Sequence, residues 1–218
     1  MTLTNVQSHG DNFENEIHLA VHGKPKKEYE KLIKGGHIAE LDIEKGILAD
    51  FNGSVKATKT NSVGGGDIIR QYKGTKVLDI TFIIGRYNQI TKKIKEYDKI
   101  YEFYINPTHW DLLWNGMQLD TLKKFDSYVK SIPKGKEGQL ANQKLWKEKR
   151  EIIYENEGRG LMSINAKIDS KTQRRVQCGF NIKEMIVSGI PYKIFTEEYR
   201  GINLPYVQDN SPARTFNK

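Results

Sequence analysis

Apolar and polar positions alternate along this chain with two distinct periods, and the changes between them mark its elements. Phe13, Ile17, Ala20 and Val21 recur at helical spacing, with Asp11 or Asn12 ahead of them as a cap, which predicts an amphipathic helix. On that helix Glu14 lies nearer the apolar stripe than Glu16, so it is the better placed to point inward, with Glu16 as its rival. A basic stretch from Lys24 to Lys34 then ends at Gly35-Gly36. Residues 38–43 alternate as a strand does, Lys45-Gly46 reads as a turn or bulge, and residues 47–51 are apolar again. Asn52-Gly53 is a turn signal, followed by a short strand over residues 54–58. Gly64-Gly65-Gly66 reads as a loop, and Asp67 as the N-cap of a helix through Ile68, Ile69 and Gln71.

Residues 77–84 are almost wholly apolar and predict a central, buried strand. Ile90, Ile94 and Tyr97 carry a helical period, and residues 100–105 read as another strand. A helix over residues 119–129 stops at Pro133, residues 134–138 read as a surface loop, and a charged helix covers residues 143–153. Residues 161–168 alternate as a strand, 169–172 form a turn, and 173–180 return as the partner strand. Residues 205–218 read as an extended tail. This order predicts an α/β (α+β) fold, one central mixed sheet flanked by helices, in a single domain over residues 1–218.

Charge narrows the partners. Lys and Arg number 35 against 27 Asp and Glu, a formal net charge of +8, which favours a polyanion such as nucleic acid. No apolar run approaches the roughly 18 residues of a membrane span. The first residues lack the charged-then-apolar layout of a secretory signal, so the cytoplasm is the expected compartment. The single cysteine, Cys178, excludes an internal disulfide framework and a zinc ribbon.

The candidate chemistry is a carboxylate, Asp42, followed by Ser54-Val55-Lys56 in a short strand. Hard-oxygen ligands for a divalent metal and a cation beside an attacking water are what metal-dependent phosphodiester cleavage requires. Asp42 would bind Mg²⁺, joined by the Ser54 position, the backbone oxygen of Val55 and Glu14 from the first helix. Strand geometry puts Ser54 and Lys56 on one face and Val55 on the other, toward the core. Asp50 is the rival of Asp42. With a two-residue turn at Asn52-Gly53, Lys56 would face Ala49, so the choice of Asp42 requires a bulge or a different turn near Gly46.

The set Glu14, Asp42, Ser54-Val55-Lys56, then the Gly-rich segment into Asp67-Ile68-Ile69-Arg70, resembles the core of PD-(D/E)XK nucleases, and more narrowly type II restriction endonucleases of that superfamily. The resemblance covers roughly residues 10–105. It implies a helix, a three-stranded antiparallel meander, a helix and a further strand, with Mg²⁺ as cofactor. It also implies sequence-specific cleavage of double-stranded DNA by a homodimer, each site cutting one strand of a palindrome. The pattern departs at Ser54, a neutral residue where the family carries its second acid. Two alternatives stand beside this one: a structure-specific repair or junction nuclease, and a non-catalytic DNA- or RNA-binding protein.

The strand–turn–strand of residues 160–180 resembles the recognition hairpins of bacterial restriction enzymes. Gln173, Arg174, Arg175 and Gln177 offer the bidentate groups that read adenine and guanine in the major groove, which admits a two-stranded ribbon. Lys167, Lys171 and Arg70 suit phosphates. The glycine-rich segment lacks the Gly-Lys-Ser/Thr ending of a P-loop, so no nucleotide cofactor is expected. His18 and His22 stand four apart, a spacing that zinc could use, but no third ligand accompanies them. Trp110, Trp114 and Trp146 are candidate interface anchors.

Overall fold

The computed structural model describes residues 5–33, 41–169 and 171–209, with side chains from Asn12 onward. In chain order the elements are α1 (Asn5–His22), α2 (Lys26–Tyr29), β1 (Gly53–Thr58), β2 (Ser62–Asp67), α3 (Ile68–Val77), β3 (Ile80–Gln89) and β4 (Ile94–Ile105). Then come α4 (Trp110–Trp114), α5 (Leu119–Ser131), α6 (Lys136–Glu157), β5 (Ser163–Ile168), β6 (Arg174–Asn181) and α7 (Ile182–Val187). The last are β7 (Tyr192–Phe195), β8 (Glu198–Tyr199), β9 (Ile202–Asn203) and β10 (Tyr206–Asp209). The class is the expected mixture of helices with a mixed sheet. Where length suggested a single domain, the chain divides into two compact units: Met1–Asn61 with Ile80–Tyr104 and Pro191–Lys218, and Ser62–Asp79 with Ile105–Ile190.

The first unit is built on a five-stranded sheet in the order β1-β3-β4-β10, with β7 also paired to β4. β1 runs parallel to β3, Ser54 beside Phe82 and Lys56 beside Ile84. Of the expected buried run 77–84, residues 80–84 are buried, Thr81 included, while Val77 and Asp79 are exposed. α1 lays Phe13 and Ile17 onto this sheet among Ile43, Val55, Ile83 and Tyr97. Phe13 stacks on Tyr97 with ring centroids 4.5 Å apart. It can do so because Gly85 lies beneath, where a Cβ would sit 2.4 Å from the Phe13 ring.

Several local expectations fail in this unit for identifiable reasons. α1 begins at Asn5, so Asp11 and Asn12 lie within the helix and not at its start. Over the described residues 41–58 the expected antiparallel meander is reduced to isolated bridges. Residues 34–40 lie outside the described set, and the chain from Glu44 to Asn52 makes a broad loop, with an isolated bridge between Ile43 and Gly53 at its base. Gly46, at φ +91°, reverses the chain there, as the choice of Asp42 required. The helical spacing of Ile90, Ile94 and Tyr97 belongs to a tight connection, closed by the Ile90 N–H on the Ile94 carbonyl at 3.0 Å, and to strand β4. The true period is two, with Lys95 and Tyr97 both buried. Of the tail, Tyr206–Asp209 is a strand paired to β4, and residues 210–218 lie outside the described set.

The second unit holds a three-stranded antiparallel sheet in the order β2-β6-β5. The glycine-rich segment is therefore a strand and not a loop. Gly65 is needed for close approach, since a Cβ there would stand 2.6 Å from Cys178 Sγ. Asp67 caps α3 as expected, accepting the Arg70 N–H at 2.9 Å. α3 continues to Val77, which shortens the strand expected from residue 77; Thr75 stays helical and receives the Trp114 indole N–H at 2.9 Å. Trp114 is wholly buried, so it is core and not an interface anchor. α6 begins at Lys136, inside the expected surface loop. Among the described residues, no helix is long and apolar enough to cross a membrane.

This packing has two measurable consequences. Gly85→Ala drives a methyl into the Phe13 ring and lowers stability by about 1–3 kcal/mol, read by urea unfolding. Lys95 is buried, with Nζ 3.9 Å from the Tyr87 ring centroid, and burial lowers its pKa from 10.5 to about 8. The native state then holds fewer protons than the unfolded chain between those values, so this group's contribution to stability rises as pH climbs from about 8 toward 10.5. Lys95→Met removes that rise, a difference that urea titrations at about pH 7.5 and 9.5 detect.

Candidate functional site

The first unit brings Asp42, Ser54, Val55 and Lys56 to one point. Asp42 enters the sheet edge through its own N–H, which donates to the Gly53 carbonyl at 3.0 Å, while the Gly53 N–H donates to the Ile43 carbonyl at 2.8 Å. That pairing sets the aspartate beside the start of β1. Its Oδ2 then accepts the Val55 N–H at 2.6 Å, the Lys56 ammonium at 2.8 Å and the Ser54 hydroxyl at 3.3 Å. Val55 is buried in the core cluster, so the strand is anchored from below and Lys56 is held above.

Lys56 Nζ also donates to the Val55 carbonyl at 2.8 Å. Two hard oxygens, one carboxylate and one main-chain carbonyl, therefore converge on a single cationic atom. Among the described residues no hydrogen bond reaches Asp42 Oδ1. Removing the carboxylate from water raises its pKa, but the Lys56 charge and hydrogen bond, the Val55 N–H and the Lys26 charge outweigh this and hold it below the ordinary range. Asp42 is ionised at neutral pH as a result. Asp50, the rival, is exposed and sits in the loop before β1.

Like its rival Glu16, Glu14 is half-buried on α1. Its carboxylate is held by Lys26 of α2, Oε2 to Nζ at 3.0 Å, with His18 Nε2 at 3.8 Å from Oε1. Lys26 was legible only as one member of a basic stretch. Its position comes from the tertiary contact of α2 with α1, where Asn15 Oδ1 accepts the Lys26 N–H at 3.0 Å. The charge of Lys26 is the smallest of the influences that hold Asp42 low.

Among the described residues, no group of three or more His, Cys, Asp or Glu side chains is gathered as a metal cage. Mg²⁺ does not need one, because it keeps several waters and takes phosphate oxygens alongside one or two carboxylates. The convergence of Asp42 and the Val55 carbonyl fits such a cation. His18 and His22 bond each other at 2.9 Å and pack on Tyr29, which accounts for their spacing without zinc.

In the second unit β5 and β6 form the expected antiparallel pair, with Lys167 opposite Arg175 and Asn165 opposite Gln177. Lys167, Lys171, Gln173 and Arg175 are exposed and Gln177 is half-buried. Arg174 does not join them. Alternation turns it inward, where it is 8 % exposed and donates to the carbonyls of Ile132, Pro133, Gly135, Asp169 and Gln173. A guanidinium spent on five carbonyls is a structural tie between strand and loop, and not a base reader. Arg70 lies with its guanidinium over Gly66 and is half-buried.

Comparison of the chain with protein-family models, with curated proteins and with solved structures finds no match in any of the three. The arginine pair supplies its own test. Arg174→Ala strands several buried carbonyls and lowers stability by about 2–4 kcal/mol, whereas Arg175→Ala stays within about 0.5 kcal/mol of the parent, both read by urea unfolding.

Proposed function

We propose that this chain is a Mg²⁺-dependent endonuclease that cuts double-stranded DNA at a defined sequence, in the manner of the PD-(D/E)XK restriction enzymes it resembles. The observation that carries this reading is the Asp42–Lys56 contact at 2.8 Å, made across the Ser54 and Val55 donors. The net charge of +8 and the exposed cations of β5 and β6 support a polyanionic substrate.

In this reading Asp42 and the Val55 carbonyl hold Mg²⁺, with Glu14 as the further carboxylate. The ion, when bound, acts as a Lewis acid on the phosphate and lowers the pKa of a water. Val55 N–H and the Ser54 hydroxyl fix the orientation of the Asp42 carboxylate. Lys56, tethered within 2.8 Å of two oxygens of the site, orients the attacking water and balances the negative charge that develops on the phosphoryl oxygens. Ser54 keeps the position neutral where the family pattern has an acid. Arg175 and Gln177 contact bases, with Gln173 at the turn, while Lys167, Lys171 and Arg70 contact phosphates. A homodimer would cut both strands of a palindrome.

The neutral Ser54 favours one other reading, a DNA-binding protein without catalysis. The two separate in one experiment. Asp42→Ala and Lys56→Ala abolish Mg²⁺-dependent cleavage of duplex DNA, a loss of about 1,000-fold or more, and leave duplex affinity within about threefold. Arg175→Ala weakens duplex binding and reduces the slope of log affinity against log salt by about one. A parent protein that binds duplexes but never nicks them with Mg²⁺ selects the non-catalytic reading.

A further inference from the structure

Asn165 has no part in the reading above, yet the second unit holds its side chain in a fixed pose. Strand register sets two polar rows across β5 and β6, Asn165 opposite Gln177 and Lys167 opposite Arg175. Opposed residues project from one face of a sheet, so these four share the face turned away from the buried Val176 and Cys178. In the next row Gly179 lies between Ser163 of β5 and Gly64 of β2, so only Ser163 projects there. The Ser163 hydroxyl donates to the Gly179 carbonyl at 3.0 Å and accepts an N–H of Asn165 Nδ2 at 3.2 Å. A Cβ at residue 179 would stand 2.7 Å from that nitrogen, so glycine is what makes room for the amide. Edge protection does not account for this polar face. β6 is flanked by β2 and β5, and α6 closes the outer edge of β5. There the Tyr154 hydroxyl accepts the Ile164 N–H at 2.7 Å, and the Gln139 amide donates to the Ile168 carbonyl at 2.9 Å.

We propose that Asn165 is a specificity-determining residue, which binds the N6 and N7 edge of an adenine in the major groove. The inference rests on the reading of this chain as a sequence-specific DNA-binding enzyme, and adds to it one residue and one base. Donor and acceptor count carries the chemistry. A carboxamide offers two N–H donors and one acceptor oxygen. Ser163 takes one N–H of Asn165. The second N–H and Oδ1 are the pair an adenine needs, since N7 accepts and N6–H donates. A side chain already oriented loses little freedom when the base arrives. Arg175 lies in the row two residues along, about 7 Å further on. That matches the rise of about two base pairs, so the adenine stands about two pairs from a guanine read by Arg175.

The experiment compares the full-length parent with Asn165→Ala and Ser163→Ala. Each protein selects from a duplex library of random sequence, with Ca²⁺ in place of Mg²⁺ to hold back cleavage, and the bound fraction is sequenced. Affinities for the parent's selected duplex and for a scrambled duplex are read by fluorescence anisotropy, and circular dichroism confirms that each variant is folded. The parent selects a motif holding an adenine and a guanine about two base pairs apart. Asn165→Ala loses the preference at that adenine alone. It binds the selected duplex about 10- to 100-fold more weakly and the scrambled duplex as the parent does. Ser163→Ala, which releases the amide, weakens the adenine preference without abolishing it. Selection of the parental motif by Asn165→Ala overturns the proposal, as does an equal loss of affinity for both duplexes, the signature of a residue that only supports the sheet. A parent that selects no motif overturns it as well; if that parent still nicks duplex DNA with Mg²⁺, the nuclease reading survives as cutting without a defined sequence. Loss of the adenine preference in a protein that never nicks supports the proposal and overturns the catalysis alone.

Discussion

One carboxylate oxygen organises the candidate site. Asp42 Oδ2 collects a main-chain N–H, a hydroxyl and an ammonium, all from three successive residues of β1. For this to occur the chain must pass Asp42 within hydrogen-bonding distance of Gly53, and glycine is what allows the approach. A Cβ at residue 53 would stand 3.1 Å from both Ile43 and Phe51 side-chain atoms. The same strand sends Val55 down into the core beside Phe13 and Ile17, which fixes α1 and with it Glu14. Position of the acids and packing of the core are therefore one constraint. Truncating Lys56 would leave Asp42 a partly buried carboxylate without its counter-ion, a penalty on the order of 1–3 kcal/mol.

The cluster is poised by compensation. Both acids are paired with lysines, so neither carboxylate is a bare charge in a half-buried setting. Each lysine is in turn held by more than its acid, Lys56 by the Val55 carbonyl and Lys26 through the Asn15 contact of its backbone. Another buried acid of the same unit, Glu102, is closed by different means. It accepts hydroxyl bonds from Tyr104 and Tyr199 and lies 3.5 Å from Arg200, which leaves it a structural tie between β4 and the β8–β9 pair. Glu102 is 3 % exposed, whereas Asp42 and Glu14, at 26 % and 17 %, meet their ammonium partners where solvent still reaches them.

Much of this was legible from residue pattern because it rests on local rules. The Asp67 cap, the buried run of β3 and the β5–β6 pair all derive from period, capping and alternation. So did the bend at Gly46. The pattern misled where a local signal had two meanings. Three glycines read as a loop, but here glycine serves a strand that must lie against Cys178. Ile90, Ile94 and Tyr97 match a helical period by coincidence of a tight connection. Arg174 and Arg175 look alike in sequence, and strand alternation alone decides that one is buried and the other exposed. Lys26 was hidden because its role depends on α2 meeting α1, a tertiary contact that no spacing announces.

The central claim is that the oxygen cluster around Asp42 cuts DNA with a divalent metal. Incubation of the parent protein with a mapped supercoiled plasmid, in Mg²⁺ and in chelator, tests it most directly. The proposed activity predicts a small set of discrete linear fragments in Mg²⁺ and intact plasmid in chelator. Intact plasmid under both conditions, across a wide range of protein concentration, contradicts it.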